Sequence, residues 1–303
     1  MTLGCELSLS RCVLNLLDLL DNKRIVLLDG AMGTQLDKKG LMSRGQNNLD
    51  APEAVLEIHR AYVRAGCDAL IANTLTMNRL YIETHNVGVP VGEVNRAGAA
   101  LAREAAGDER CVLGNMSSTG QLLEPYGSYS QAQFCDAFRE QAEALAEAGV
   151  DGFMIESMFD LREALCALRS CKEVSSLPVV VSVAFQTNKN GGRTMMGDTA
   201  EQSARQLTAA GADAIGANCG DLDPGQMAEV VATLTAATDR PIAAQPNAGK
   251  PRLVEDRTVF DMAPEPFAKG LAACIEAGAR LVGGCCGTGP EHIEAVRRVI
   301  ERM

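Results

Sequence analysis

No apolar run in the 303-residue sequence approaches the roughly 18 consecutive residues of a membrane span, and the N-terminus lacks a basic flank followed by an apolar stretch. Both absences lead to the expectation of a cytoplasmic protein. A cation excess is missing as well. With 28 Lys and Arg against 39 Asp and Glu, the formal charge is −11, a field that repels phosphate backbones and excludes nucleic acid as an expected partner. No linker, low-complexity tract or compositional shift divides the chain, and no glycine-rich nucleotide fingerprint follows its first apolar run.

What is present is ordinary globular material: 47% hydrophobic and 22% charged residues, enough for a large core without staples. The eleven cysteines are more unusual. Without export signals they read as reduced thiols with metal-binding or catalytic uses, not as a disulfide framework. Cys12, Cys67, Cys135, Cys166, Cys171 and Cys274 lie in or beside apolar helical stretches, where a free thiol behaves as a small core residue.

Eight short apolar runs, 24–30, 69–74, 111–117, 152–157, 178–185, 214–219, 241–246 and 280–284, read as parallel strands covered on both faces. Amphipathic helices are expected between them at 52–65, 131–148, 161–174, 200–210, 224–237 and 264–277, with another at 290–302. The phrases Arg64-Ala65-Gly66-Cys67-Asp68, Glu147-Ala148-Gly149-Val150-Asp151, Ala210-Gly211-Ala212-Asp213 and Glu276-Ala277-Gly278-Ala279-Arg280 recur, each closing a helix with glycine and launching a strand. Eight evenly spread units suggest a (β/α)8 TIM barrel over residues 24–303; an open, doubly wound sheet is the alternative. Residues 1–23 read as a helical extension whose Val13, Leu16, Leu17 and Leu20 cover one end of the barrel.

Barrel enzymes keep their chemistry where strands end, and two strand ends here hold cysteine: Asn218-Cys219-Gly220 on the sixth and Gly284-Cys285-Cys286-Gly287 on the eighth. Three thiolates with one open position make a catalytic zinc site, and flanking glycines let adjacent residues reach one ion. Adjacent cysteines also occur as core residues or as a strained redox pair. No strand-end lysine is evident to serve a lyase or aldolase.

The segments DGAMGTQL (29–36), HRAYVRAGCD (59–68), ANTLTMNRL (72–80), MIESMFDLREAL (154–165), GANCG (216–220), QPNAGKP (245–251) and GGCCGTGPEHI (283–293) follow one another along most of the chain. In them the sequence resembles the homocysteine-binding methyltransferase family, and within it the methionine-synthase branch. That resemblance implies zinc on Cys219, Cys285 and Cys286, with Asn247 as a fourth ligand before substrate binds. It implies that Asp29 and Glu156 face the site, Glu156 holding the substrate ammonium, and that Asn73 helps shape the pocket. The turn at 287–290 would receive a carboxylate near Thr288, or Thr288 would cap the last helix.

The implied reaction is methylation of a thiol, homocysteine first among candidates, by a methyl-corrinoid carried on a partner protein. S-methylmethionine or betaine as donor, and a barrel that binds a thiol or methylated metabolite without turnover, are the alternatives. One departure stands out. The family's NTF segment reads Asn73-Thr74-Leu75, and its acidic residue two before the asparagine is Ile71, so the thiol or the donor is expected to differ from the usual pair. His59, His85 and His292 read as surface or packing residues, and 189–193 as a turn or lid.

Overall fold

The computed structural model describes residues 16–42, 44–255 and 257–303. Eight parallel strands, Val26–Leu27, Ala69–Ile71, Cys111–Met116, Gly152–Met158, Val179–Val183, Ala214–Asn218, Ile242–Gln245 and Ala279–Val282, pair in chain order, and the last pairs with the first. A parallel bridge between Leu28 and Ala69 completes the ring. This is the (β/α)8 barrel expected from the alternation of apolar runs, and the open sheet is excluded by the closure. Side chains strengthen the seam: Leu27 N donates to Asp68 Oδ2 at 2.8 Å, and Ile71 N to Asp29 Oδ2 at 3.0 Å.

The strands are mostly apolar because both faces are covered. Val26, Leu28, Ala69, Cys111, Leu113, Met154, Val180, Ala214, Ala243 and Leu281 fill the barrel interior. Their neighbours Leu27, Leu70, Val112, Phe153, Val181 and Ile215 point outward into the helical layer.

The repeated phrase has a physical basis at three levels. Gly66, Gly149, Gly211 and Gly278 all take positive φ, between 75° and 114°, which stops each helix and turns the chain toward the next strand. In the first three copies the aspartate then accepts a backbone N–H from the first two residues of the preceding strand: Asp68 from Leu27, Asp151 from Val112 at 2.7 Å, and Asp213 from Val179 at 2.8 Å. Each carries a cationic partner, Lys23 and Arg297, Arg103 and Lys172 in turn. The fourth copy has Arg280 instead, and its guanidinium donates to Leu20 O, Lys23 O and Arg24 O at 2.5, 3.0 and 2.7 Å.

Arg280 thereby fastens the helix Leu16–Asn22 beneath the barrel, where Leu16, Leu19 and Leu20 join the interior core. Burial of each leucine favours that seat by about 1.5–3 kcal/mol before ordering costs. Leu17 corrects the expectation, since it is 40% exposed and Leu19 fills the place assigned to it. Val13 lies outside the described residues.

Several elements were not predicted, among them the short helices Gly33–Lys38 and Asn47–Asp50 in the loop after the first strand. Helix Val91–Ala106, preceded by Arg79–Thr84, connects the second and third strands, its apolar stripe broken by Gly92, Asn95 and Gly98. Gly98 is there for close approach: a Cβ would lie 2.5 Å from Asn48 Nδ2. An antiparallel hairpin, Arg252–Val254 with Arg257–Val259, stands in the loop after the seventh strand. Strands one and two are shorter than expected because their last residues leave the ladder to build the mouth. Among the described residues no helix is long and apolar enough to cross a membrane.

Candidate active site

The sixth strand ends in Asn218 and hands the chain to Cys219, which takes a left-handed φ of 53°. For a residue with a Cβ that conformation is costly, of order 1–2 kcal/mol, and it is a mark of functional sites. Gly220 must follow because a Cβ there would lie 2.2 Å from Phe185 O. Cys219 N donates to Gln245 O at 3.2 Å, and Cys285 N donates to Pro246 O at 2.9 Å, so both cysteine loops are stitched to the end of the seventh strand. Cys286 O accepts from Ala248 N at 2.9 Å.

These constraints bring the sulfurs of Cys219, Cys285 and Cys286 within 4.8 Å of one another. Their protons are shared unequally. Hydrogen bonds from Cys285 and Cys286 hold the Cys219 thiol well below its ordinary range. The hydrogen bond to Cys219 pushes Cys285 well up, and Cys286 up to about 12. A cluster that holds one thiolate by sharing two thiol protons is one in which a soft cation can replace those protons.

Above the sulfurs lies a cavity of about 440 Å³, walled by Arg44, Ile71, Ala72, Asn73, Leu75, Thr76, Tyr81, Asn115, Glu156 and Gln245 among others. Glu156, 7% exposed, lies near the end of the fourth strand beside Ser157, which also has positive φ, 59°. Asn115 Nδ2 donates to Glu156 Oε1 at 2.8 Å and Asn218 Nδ2 to Oε2 at 3.3 Å. Asn218 further donates to Ser157 Oγ and accepts from Ser157 N, both at 2.8 Å, so one amide fixes the carboxylate and the strained backbone together. Burial pushes the Glu156 carboxyl up to about 7, against the hydrogen bond from Asn115.

Several acceptors around the cavity have no partner among the described residues: Asp29 Oδ1, Asn115 Oδ1, Gln245 Oε1 and Asn247 Oδ1. Asn247 is 1% exposed; its Nδ2 donates to Gly220 O at 3.0 Å, and its amide touches Cys219. Buried acceptors without donors are costly unless a ligand or ion completes them. Asp29 lies beneath the wall, its Oδ2 bonded to Ile71 N, and burial, with Glu156 adding to it, raises its carboxyl well above the ordinary range.

Thr288 is brought under the cavity instead of into it. Its hydroxyl donates to Cys285 O at 2.7 Å and accepts from Ala31 N at 3.0 Å. The amides of the turn are already bonded, Gly287 N to Thr34 Oγ1, Thr288 N to Cys285 O and Gly289 N to His292 Nδ1, and the residue capping the last helix is Gly289. Thr288 braces the cysteine turn. Asn73 does line the cavity, held by a pair of bonds with Asn48: Asn73 Nδ2 to Asn48 Oδ1 at 3.0 Å and Asn48 Nδ2 to Asn73 O at 2.8 Å. Arg44, Asn48, Asn115, Asn218 and Gln245 were not anticipated. Asn115 and Asn218 did carry a signal, as polar residues near the ends of otherwise apolar strands.

A closed (β/α)8 barrel with a carboxylate and three converging thiols at the C-terminal ends of its strands is the architecture of an enzyme. The sequence profile of the homocysteine S-methyltransferase family matches residues 26–300, and the chain belongs to that family, among the methyltransferases. It is 31% identical over 309 residues to a methionine synthase of Mycobacterium tuberculosis and 30% identical over 308 to that of Mycobacterium leprae. These alignments cover 94% of this chain but 26% and 25% of the relatives, so the chain spans about a quarter of their length. Its fold is like that of the metallated homocysteine methyltransferase MmuM of Escherichia coli, with a TM-score of 0.75, 23% identity, and coverage of 93% of this chain and 98% of that one.

Proposed function

We infer that this chain transfers a methyl group to the sulfur of homocysteine to give methionine, with zinc held by Cys219, Cys285 and Cys286 and a methyl-corrinoid on a partner protein as donor. The observation that carries the reading is the convergence of three cysteine sulfurs, all within 4.8 Å, beneath a cavity lined by Glu156. The donor set fits the ion: three soft sulfurs suit zinc, and Asn247, whose amide touches Cys219 and whose Oδ1 has no partner among the described residues, suits the fourth position before a thiol arrives. When bound, zinc supplies the Lewis acidity that makes a coordinating thiol a thiolate at neutral pH, where a free thiol of pKa about 8.5 is mostly protonated.

The protein's own residues do the rest. Glu156, held at both oxygens by Asn115 and Asn218, receives the substrate ammonium, and the unpartnered acceptors of Asn115, Gln245 and Asp29 beneath it add to a floor short of donors. Neither carboxylate is needed as a base, because the thiol has lost its proton before attack. Ile71, Ala72 and Leu75 keep one wall apolar, and Asn48 fixes Asn73 in it. The sulfur is left facing the mouth, positioned for in-line attack on the incoming methyl carbon. Thr288 serves from beneath by bracing the Cys285 carbonyl.

The resemblance of the sequence motifs to the methionine-synthase branch motivates the corrinoid donor, and the matched relatives are methionine synthases. The lining supports it too. Its one aromatic side chain among the described residues is Tyr81, whereas a small sulfonium or quaternary ammonium donor is best gripped by an aromatic cage. The free thiols suit a reducing compartment, in line with the cytoplasm. The test is to offer methylcobalamin, S-methylmethionine and betaine separately to the zinc-loaded protein with homocysteine. Methionine is expected from methylcobalamin; product from none of the three, with zinc retained, would overturn the homocysteine assignment.

A further inference from the structure

We propose that Arg44 is the residue that selects an amino-acid thiol over a simple thiol, by receiving the substrate carboxylate; this rests on the thiol-methylation reading above. Arg44 is the one cationic side chain lining the cavity among the described residues. The residue is partly buried and its guanidinium has no hydrogen-bond or ion-pair partner among them, although arginines elsewhere in the chain commonly pair with an acid or a backbone carbonyl. The adjoining wall offers no charge of its own, since Ile71, Ala72, Leu75 and Thr76 are neutral.

The backbone under Arg44 is fixed for the purpose. Asn47 Nδ2 donates to Arg44 O at 3.0 Å and to Met42 O at 2.6 Å. Gly45 lets the loop sit against the second strand's end, where a Cβ would meet Met77 Cγ at 2.5 Å and Asn73 O at 2.9 Å. The loop that presents Arg44 is therefore locked to the loop that presents Asn73, itself held by Asn48. The cavity then carries three kinds of group: sulfur ligands on its floor, a carboxylate at Glu156 and a cation at Arg44. A thiol that also bears an ammonium and a carboxylate answers all three. A planar guanidinium pairs with a carboxylate through two parallel hydrogen bonds, which gives orientation as well as affinity.

Calorimetric titration of the zinc-loaded full chain, with no methyl donor present, tests this with two probes: homocysteine and aminopropanethiol, which is homocysteine without its carboxylate. Because no donor is present, any preference belongs to the acceptor's carboxylate and not to one on the donor. A charge-assisted pair predicts that the wild type binds homocysteine about 10- to 100-fold more tightly than aminopropanethiol. Arg44→Met and Arg44→Gln should bring that ratio to within about twofold of one while leaving aminopropanethiol affinity unchanged, and Arg44→Lys should keep part of it. Equal binding of both thiols by the wild type, or a preference that survives Arg44→Met and Arg44→Gln, overturns the anchor while the function stands. Binding of neither thiol by the zinc-loaded wild type overturns the function and the anchor together.

Discussion

Glu156→Gln separates recognition of the substrate amine from capture of its sulfur. The change keeps the shape of the side chain. Asn115 Nδ2, 2.8 Å from Oε1, can go on donating to an amide oxygen, and Asn218 retains its 2.8 Å bonds with Ser157 if the weaker 3.3 Å contact to Oε2 is lost. The fold and the three cysteines should therefore be undisturbed, and zinc content equal to that of the wild type. What disappears is the negative charge opposite the ammonium. A hydrogen bond between charged groups contributes roughly 1.5–3 kcal/mol, so homocysteine should bind about 10- to 150-fold more weakly. Mercaptobutanoate, which is homocysteine without its amine, should bind the variant as well as it binds the wild type, or better, because an uncompensated buried carboxylate has been removed. The assay is titration of zinc-loaded proteins with both thiols. An equal loss for the two would mean that Glu156 acts through the cysteine loops, and no loss for homocysteine would remove it from the recognition site.

Serine in place of Cys219, Cys285 or Cys286 should each abolish tight zinc binding, read as metal content after dialysis, with little change in helical content; unchanged zinc in all three variants would defeat the metal site. His59 is fully buried with neither ring nitrogen partnered among the described residues, and burial lowers its pKa from 6.5 to about 4. Below pH 6.5 the unfolded chain takes up a proton that the folded chain refuses, so stability is lost as pH falls from 6.5 toward 4. Between about pH 7.5 and about pH 5 the loss from this residue is about 2 kcal/mol. Urea unfolding of His59→Leu should show a correspondingly flatter pH dependence, and an unaltered slope would contradict the neutral buried ring. Arg280→Ala removes three bonds to carbonyls in and just after the helix Leu16–Asn22. It should cost about 2 kcal/mol and raise hydrogen exchange in that helix first; unchanged exchange there would mean that the leucines alone hold it.

The barrel was legible because its signals are local and repeated. A glycine that must take positive φ recurs four times, and in three of the four copies an aspartate that bonds the neighbouring strand follows it. The metal-site cysteines were legible for a related reason, since glycine and cysteine together at strand ends have few other uses. The helix Val91–Ala106 was hidden because its packing against the Asn48 loop requires small and polar residues where an amphipathic pattern would show leucine. The cavity wall was hidden more deeply. Asn48, Asn73 and Asn115 lie far apart in sequence and meet only when the first three strand-end loops converge, so no spacing rule connects them. Arg44 is the extreme case, because in the sequence it is one basic residue in a polar loop. Its meaning comes from what surrounds it in space, a neutral wall and a cavity with no other cation among the described residues, and that is a property of the closed barrel, which no stretch of sequence displays. The departure at Ile71 and Leu75 bears on the same point. With Ile71 where the family has an acid, the second strand sets no carboxylate against the guanidinium, which makes the altered strand a reason to expect an anionic group on the substrate.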